Sequence, residues 1–230
     1  MNIETKMPQW KELYTIGAIA AILSEIILII GIVAVFIYPF APGNKSTESI
    51  FLLLQNDKLG GLISLDFHLV LGNLLGILLF LALYVSLKQV NESYALIALV
   101  LGLIADVLII SARPIFELFS LSGLYATATT EVAKSQYLAA GEALLSMFNG
   151  TGWFINTFLG GFSLLMSSLL MLRGNVFSKA TAYVGIITNA AVCLFFVPGI
   201  GMLFLFLSLP GYMIWYVQLT RRFLKLAKGG

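Results

Sequence analysis

The chain has 230 residues, of which 60% are hydrophobic and only 10% charged, and its net charge is +2. An ordinary soluble domain carries roughly 25% charged residues, so a water-soluble fold could not hide this much apolar surface. The slight basic bias sits in flanks of apolar runs, which excludes a nucleic-acid interface, and the single cysteine, Cys193, excludes an intrachain disulfide or a multi-thiolate metal site.

No linker-like shift in composition divides the chain, so residues 1–230 are expected to form a single transmembrane helical domain. Crossing the hydrocarbon core takes about 20 mainly apolar residues, and only helices or closed barrels satisfy their backbone there. Uninterrupted apolar runs, in place of alternating ones, point to helices. The sequence therefore predicts an all-α integral membrane protein. It reads as a bundle of six transmembrane helices with an extra amphipathic helix on the outer side before the fourth span.

The first span covers residues 13–38, too long for the roughly 7–15-residue core of a signal peptide, and reads as a retained helix. It carries Ser24 and Glu25 near its midpoint, and Pro39, Pro42, Gly43 and Asn44 close it. The second span, residues 60–87, contains Asp66, His68 and Asn73 and ends before the Asn91-Glu92-Ser93 turn. The third, residues 94–112, contains Asp106, with Arg113 and Glu117 beyond its end. In the long connection that follows, residues 131–148 place Leu138, Leu145 and Phe148 at helical spacing beside Lys134, Gln136 and Glu142, the pattern of an amphipathic helix. Residues 137–172 as one rod would measure about 54 Å, longer than the roughly 40–45 Å of a bilayer with its headgroups, so a break is expected at Gly150-Thr151-Gly152. Spans four, five and six cover residues 153–172, 180–197 and 199–219, with Asn156 in the fourth and Asn189 in the fifth. Val197-Pro198-Gly199 predicts a tight hairpin of the last two, with one long kinked helix as the alternative.

Orientation follows from the basic residues on alternate sides. Lys6, Lys11, Lys88, Arg173, Lys179, Arg221, Arg222, Lys225 and Lys228 fall on one side, and Lys45, Lys58, Arg113 and Lys134 on the other. The majority side is expected to be cytoplasmic, giving a multi-pass cell-membrane protein with both termini inside. Tyr212, Trp215 and Tyr216 would then form an inner-face aromatic belt.

The Pro42-Gly43 turn with a short following helix, Leu83-Tyr84 through Lys88-Gln89-Val90-Asn91, and Tyr125-Ala126-Thr127-Ala128 leading into Tyr137-Leu138-Ala139-Ala140 recur in one order. In these features the chain resembles a family of prokaryotic membrane proteins catalogued as domain of unknown function forty-three eighty-six. The resemblance implies a multi-span architecture and a bacterial or archaeal source. It implies no activity and no catalytic residues.

Ionisable side chains at a helix centre cost roughly 2.5–3.5 kcal/mol on insertion scales, which makes them the informative residues of such a chain. Residues seven apart share a helix face, and Asp66 with Asn73, Asp106 with Arg113, and Glu142 with Asn149 and Asn156 have that spacing. Turned inward, these stripes would build a polar pocket opening outward, with Glu25, Asp66, His68, Asn73, Asp106, Arg113, Asn156 and Asn189 as a ligand or proton pathway. Arg113 and Glu117, four apart, would pair if the helix continued through Pro114. Asn73, Asn156 and Asn189 equally suit plain helix-to-helix hydrogen bonds. Gly72 and Gly76, four apart, suit close internal packing.

No catalytic motif accompanies these residues. The lone His68 rules out bis-His haem and three-His zinc, and HExxH, GxSxG, GxxxxGK and GxGxxG patterns are missing from the sequence. No cofactor and no metal is expected. The leading expectation is a non-enzymatic protein of the lipid bilayer that binds or passes a small solute, ion or lipid-derived molecule. An intramembrane enzyme using Asp66, His68 and Asp106 or Glu142 on a lipid substrate is the alternative, and an accessory protein packed against membrane partners is a third.

Overall fold

The computed structural model describes residues 10–229. Among them the chain is all-helical, and six stretches are long and apolar enough to cross a membrane: Lys11–Ile37, Phe67–Leu87, Glu92–Thr127, Glu131–Arg173, Lys179–Phe196 and Gly201–Ala227. The outward surfaces agree with that reading. Along the first helix Ile16, Ile19, Ile26, Ile30 and Val33 are all exposed, a stripe that lipid tolerates and water does not. Lys6, counted among the basic flanks, lies outside the described residues.

In chain order the helices are α1 (Lys11–Ile37), α2 (Thr47–Asn56), α3 (Lys58–Ser64), α4 (Phe67–Leu87), α5 (Glu92–Ser111), α6 (Ile115–Thr127), α7 (Glu131–Ser146), α8 (Thr151–Arg173), α9 (Lys179–Cys193) and α10 (Gly201–Ala227). Local chemistry starts several of them. Ser46, Asp57, Thr130 and Ser178 each accept a hydrogen bond from a first-turn N–H, of Ser49, Gly60, Ala133 and Thr181 respectively.

Three departures from the sequence reading matter for function. The second span begins at Phe67 and not at residue 60, because residues 58–64 form the separate α3 and Asp66 adopts a left-handed backbone, φ 61°, between the two helices. The third helix does not pass Pro114, whose ring and missing N–H stop α5 at Ser111. The segment after it holds a helix that the sequence reading left out, α6, with Ile115, Leu118 and Ser122 turned inward at helical spacing. The expected break near Gly150 is present: α7 ends at Ser146, one 3-10 turn covers Met147–Asn149, and α8 starts at Thr151.

The sequence suggests one domain, whereas the packing gathers in two compact units. Among the described residues, unit 1 comprises 10–28, 72–107 and 156–229, and unit 2 comprises 29–71 and 108–155. The core of unit 1 is built on Tyr14, Phe80, Leu83, Met171, Trp215, Leu219 and Phe223. Trp215 is fully buried there, so the aromatic belt expected of Tyr212, Trp215 and Tyr216 is corrected. Trp215, Leu219, Phe223 and Leu226 form the inward stripe of α10, and Tyr212 and Tyr216 are half-buried.

Unit 2 has its own core of Ile50, Phe51, Leu54, Ile115, Leu118, Leu145 and Phe148. Hydrogen bonds tie α2 to α6: Gln55 donates to the Ser122 carbonyl at 2.9 Å and to the Ser122 hydroxyl at 3.3 Å, Ser122 donates to the Phe51 carbonyl at 2.9 Å, and Tyr125 donates to Glu48 at 2.6 Å. Gly141 on α7 provides the room into which Phe51 packs.

Candidate functional site

None of the three seven-residue stripes survives as a helix face. Asp66 precedes α4, Arg113 follows α5, and the series Glu142, Asn149, Asn156 crosses the break between α7 and α8. Each rule of spacing failed at a helix end. Asp66, His68 and Arg113 belong to unit 2, whereas Glu25, Asn73, Asp106, Asn156 and Asn189 belong to unit 1.

In unit 2, Arg113 is the organising side chain. Its Nε donates to Asp66 Oδ2 at 3.2 Å, and its Nη1 donates to the Phe148 carbonyl at 2.9 Å and, more weakly, to the Ala112 carbonyl at 3.4 Å. The guanidinium also lies over the rings of Phe148 and Trp153, 5.0 and 5.2 Å from their centroids. One cation thus joins the α3–α4, α5–α6 and α7–α8 junctions. Helix ends leave carbonyls without partners, and Arg113 supplies donors to two of them. The Arg113–Glu117 pair considered from spacing is replaced by this arrangement, with Glu117 exposed. Burial pushes the Asp66 carboxyl upward from its ordinary range, and the neighbouring guanidinium pulls against that shift.

His68 packs against the Cα of Gly31, where a methyl group would collide with the imidazole. Its Nδ1 is buried without a hydrogen-bond partner. A cavity of about 60 Å³ lies beside it, lined by Gly31, Val35, Tyr38, Phe40, Ile63, Asp66 and His68. A broader open groove of about 540 Å³ runs along the start of α2 and the end of α7, with Lys45, Glu48, Glu142 and Asn149 on its walls. Among the described residues no three His, Cys, Asp or Glu side chains gather as metal ligands.

Unit 1 presents a different chemistry. Glu25 on α1 and Asp106 on α5 are both buried, and Glu25 Oε2 and Asp106 Oδ2 have no hydrogen-bond partner. Asp106 fits because Gly76 faces it: a Cβ on that glycine would stand 2.7 Å from Oδ2. Of the Gly72 and Gly76 pair, Gly76 serves close packing inside the unit, whereas a Cβ on Gly72 would meet only an ordinary contact with Ile27. Both carboxylates lie close enough to Tyr216 on α10 for their charges to act on its hydroxyl. Tyr216 stacks on Tyr212 with centroids 5.8 Å apart, and Tyr212 donates to Asn189 Oδ1 at 2.8 Å. Asn189 in turn donates to the Gly185 carbonyl at 2.8 Å, and Asn156 donates to the Ala105 carbonyl at 2.9 Å, next to Asp106. The two asparagines therefore act as hydrogen-bonded clamps within or between helices. Asn73 lies on α4, half-buried.

Sequence spacing gave no reason to join Tyr216 to Glu25 and Asp106, because the three lie on α10, α1 and α5. The only signal in the chain was a tyrosine pair, Tyr212 and Tyr216, one helical turn apart on a stripe with Trp215.

Comparison with known protein families, with curated proteins and with solved structures finds no match to this chain.

Proposed function

We propose that this multi-pass membrane protein binds or passes a proton or small ion through the interior of unit 1, with Glu25 and Asp106 as the responsive groups. The observation that carries the reading is the pair of buried carboxylate oxygens, Glu25 Oε2 and Asp106 Oδ2, without a partner. A carboxylate inside an apolar helix bundle is costly, and such residues mark ion pathways and proton relays. Tyr216 supplies a hydroxyl within electrostatic reach of both, and the Tyr212–Asn189 bond holds the adjoining ring in place. In this reading the protein resides in the cell membrane of a prokaryote with both termini cytoplasmic, and it belongs to the uncharacterised family whose turn motifs it resembles. A small solute or lipid-derived molecule is the broader ligand class left by the same polar groups.

The test is proton flux into vesicles reconstituted with the full chain, followed with an entrapped pH dye under an imposed membrane potential. Wild type is expected to carry flux that Glu25→Gln and Asp106→Asn abolish. Flux equal in all three proteins at every pH overturns the reading. An apolar carbodiimide, which adds to protonated carboxyls and leaves an N-acylurea on them, is expected to label Glu25 and Asp106 and to block the same flux.

Asp66 and His68, neighbours in unit 2 beside a small cavity, give the alternative of a lipid-directed enzyme its support. That alternative predicts a lipid product formed by wild type and lost in His68→Gln. An unchanged lipid extract in both cases removes it.

A further inference from the structure

We propose that one end of unit 1 is a binding surface for a phosphate-bearing anionic lipid. Contacts inside the unit bring the relevant helix ends together. Tyr14 near the start of α1 stacks on Phe223 near the end of α10, Phe177 before α9 meets the same Phe223, and Val90 after α4 packs on Gly174 after α8. Alternating helix direction then gathers Lys11, Lys88, Arg173, Lys179, Arg221, Arg222, Lys225 and Lys228 at this end, against Glu12 and Glu92 alone among the described residues.

These cations have no acidic partners of their own. The two ion pairs among the described residues, Arg113 with Asp66 and Lys134 with Glu131, both lie in unit 2. Two of the unit 1 cations, Lys88 and Lys179, are also held in place. Lys88 lies 4.5 Å from the centroid of the Trp10 ring and 5.7 Å from that of Tyr84. Arg222 keeps its Nε buried without an acceptor, and its charge acts on the phenol of Tyr14. Lys179 reaches the Leu172 carbonyl at the end of α8. An unfilled guanidinium donor, a fixed ammonium and a surplus of positive charge are the chemistry that takes a phosphate group.

The surroundings identify the phosphate as a lipid's. Tyr94 and Tyr183, in the first turns of α5 and α9, are exposed at this same end, where amphipathic rings sit at headgroup level. Long basic side chains there reach the headgroups while their stems lie along apolar surface. A free phosphate-bearing solute would use the same cations, so the experiment separates the two.

The full chain is placed in nanodiscs containing phosphatidylcholine and phosphatidylglycerol, extracted, and weighed intact by native mass spectrometry to count retained lipids. Wild type is expected to retain phosphatidylglycerol over phosphatidylcholine, with a loss of about fivefold for each cation neutralised among Arg221→Gln, Arg222→Gln and Lys225→Gln. Neutralising Lys45, Lys58 and Lys134 in unit 2 is expected to leave retention unchanged. Higher salt should weaken the preference in the unaltered protein, a measurement that no folding defect can imitate. Equal retention of the two lipids, insensitivity to salt, or an equal loss from the unit 2 set overturns the proposal. Binding of inorganic phosphate alone, without any preference for phosphatidylglycerol, also overturns it in favour of a soluble ligand.

Discussion

Unit 2 gives its half-buried Asp66 a buried cation, and unit 1 leaves two buried carboxylates without one. Asp66 meets Arg113 at 3.2 Å, and Nη1 of the guanidinium donates to backbone carbonyls at neighbouring helix ends. Glu25 and Asp106 sit on continuous helices, and Glu25 Oε2 and Asp106 Oδ2 have no hydrogen-bond donor beside them. The same residue types thus hold one unit together and remain available for chemistry in the other. What separates the cases is the helix break: a break frees carbonyls, those carbonyls attract a cation, and the cation secures the acid.

Substitutions can break this contrast, and the largest effect belongs to Arg113. Removing one member of a buried ion pair strands the other, so Arg113→Met should cost about 3–5 kcal/mol of stability. Thermal unfolding in detergent measures it. Adding Asp66→Leu to that variant should restore most of the loss, because no uncompensated charge then remains; additive losses would show that the pair is not the main contact of either residue.

Gly76→Ala comes next, at about 1–3 kcal/mol, since the new methyl group collides with the Asp106 carboxylate. The cost should shrink when Asp106→Ala is present, and the double-mutant cycle reads that coupling. Tyr212→Phe removes the bond to Asn189 and should cost about 1 kcal/mol. The smallest stability effect is expected for Asp106→Asn, under about 1 kcal/mol, because Oδ2 of the carboxylate has no hydrogen bond to lose and the amide fills the same space. That variant nevertheless abolishes flux in the proposed function. A large loss of stability from Asp106→Asn, matching that from Asp66→Asn, would erase the distinction between the units.

Much of the architecture was legible because it follows from local rules. Six apolar runs of sufficient length require six spans, the Val197-Pro198-Gly199 signal marks the last hairpin, and Leu138, Leu145 and Phe148 mark the inward face of the segment before the fourth span. The candidate site was legible only as a list. Glu25 and Asp106 stand out as expensive residues in apolar runs, but their company in space depends on which helices pack.

The basic residues show the same division of labour. Their assignment to two sides came from the alternation of spans, and Lys45, Lys58, Arg113 and Lys134 all fall in unit 2. The sequence by itself determined the membrane class, the number of spans and the buried acids, because hydrophobic length and insertion cost are properties of a segment. Only the tertiary structure decided that Asp66 stands outside its helix, that Arg113 closes three junctions, and that Tyr216 lies within reach of the charges of Glu25 and Asp106. Those outcomes depend on helix ends and on partners distant along the chain, where a periodicity has nothing to count.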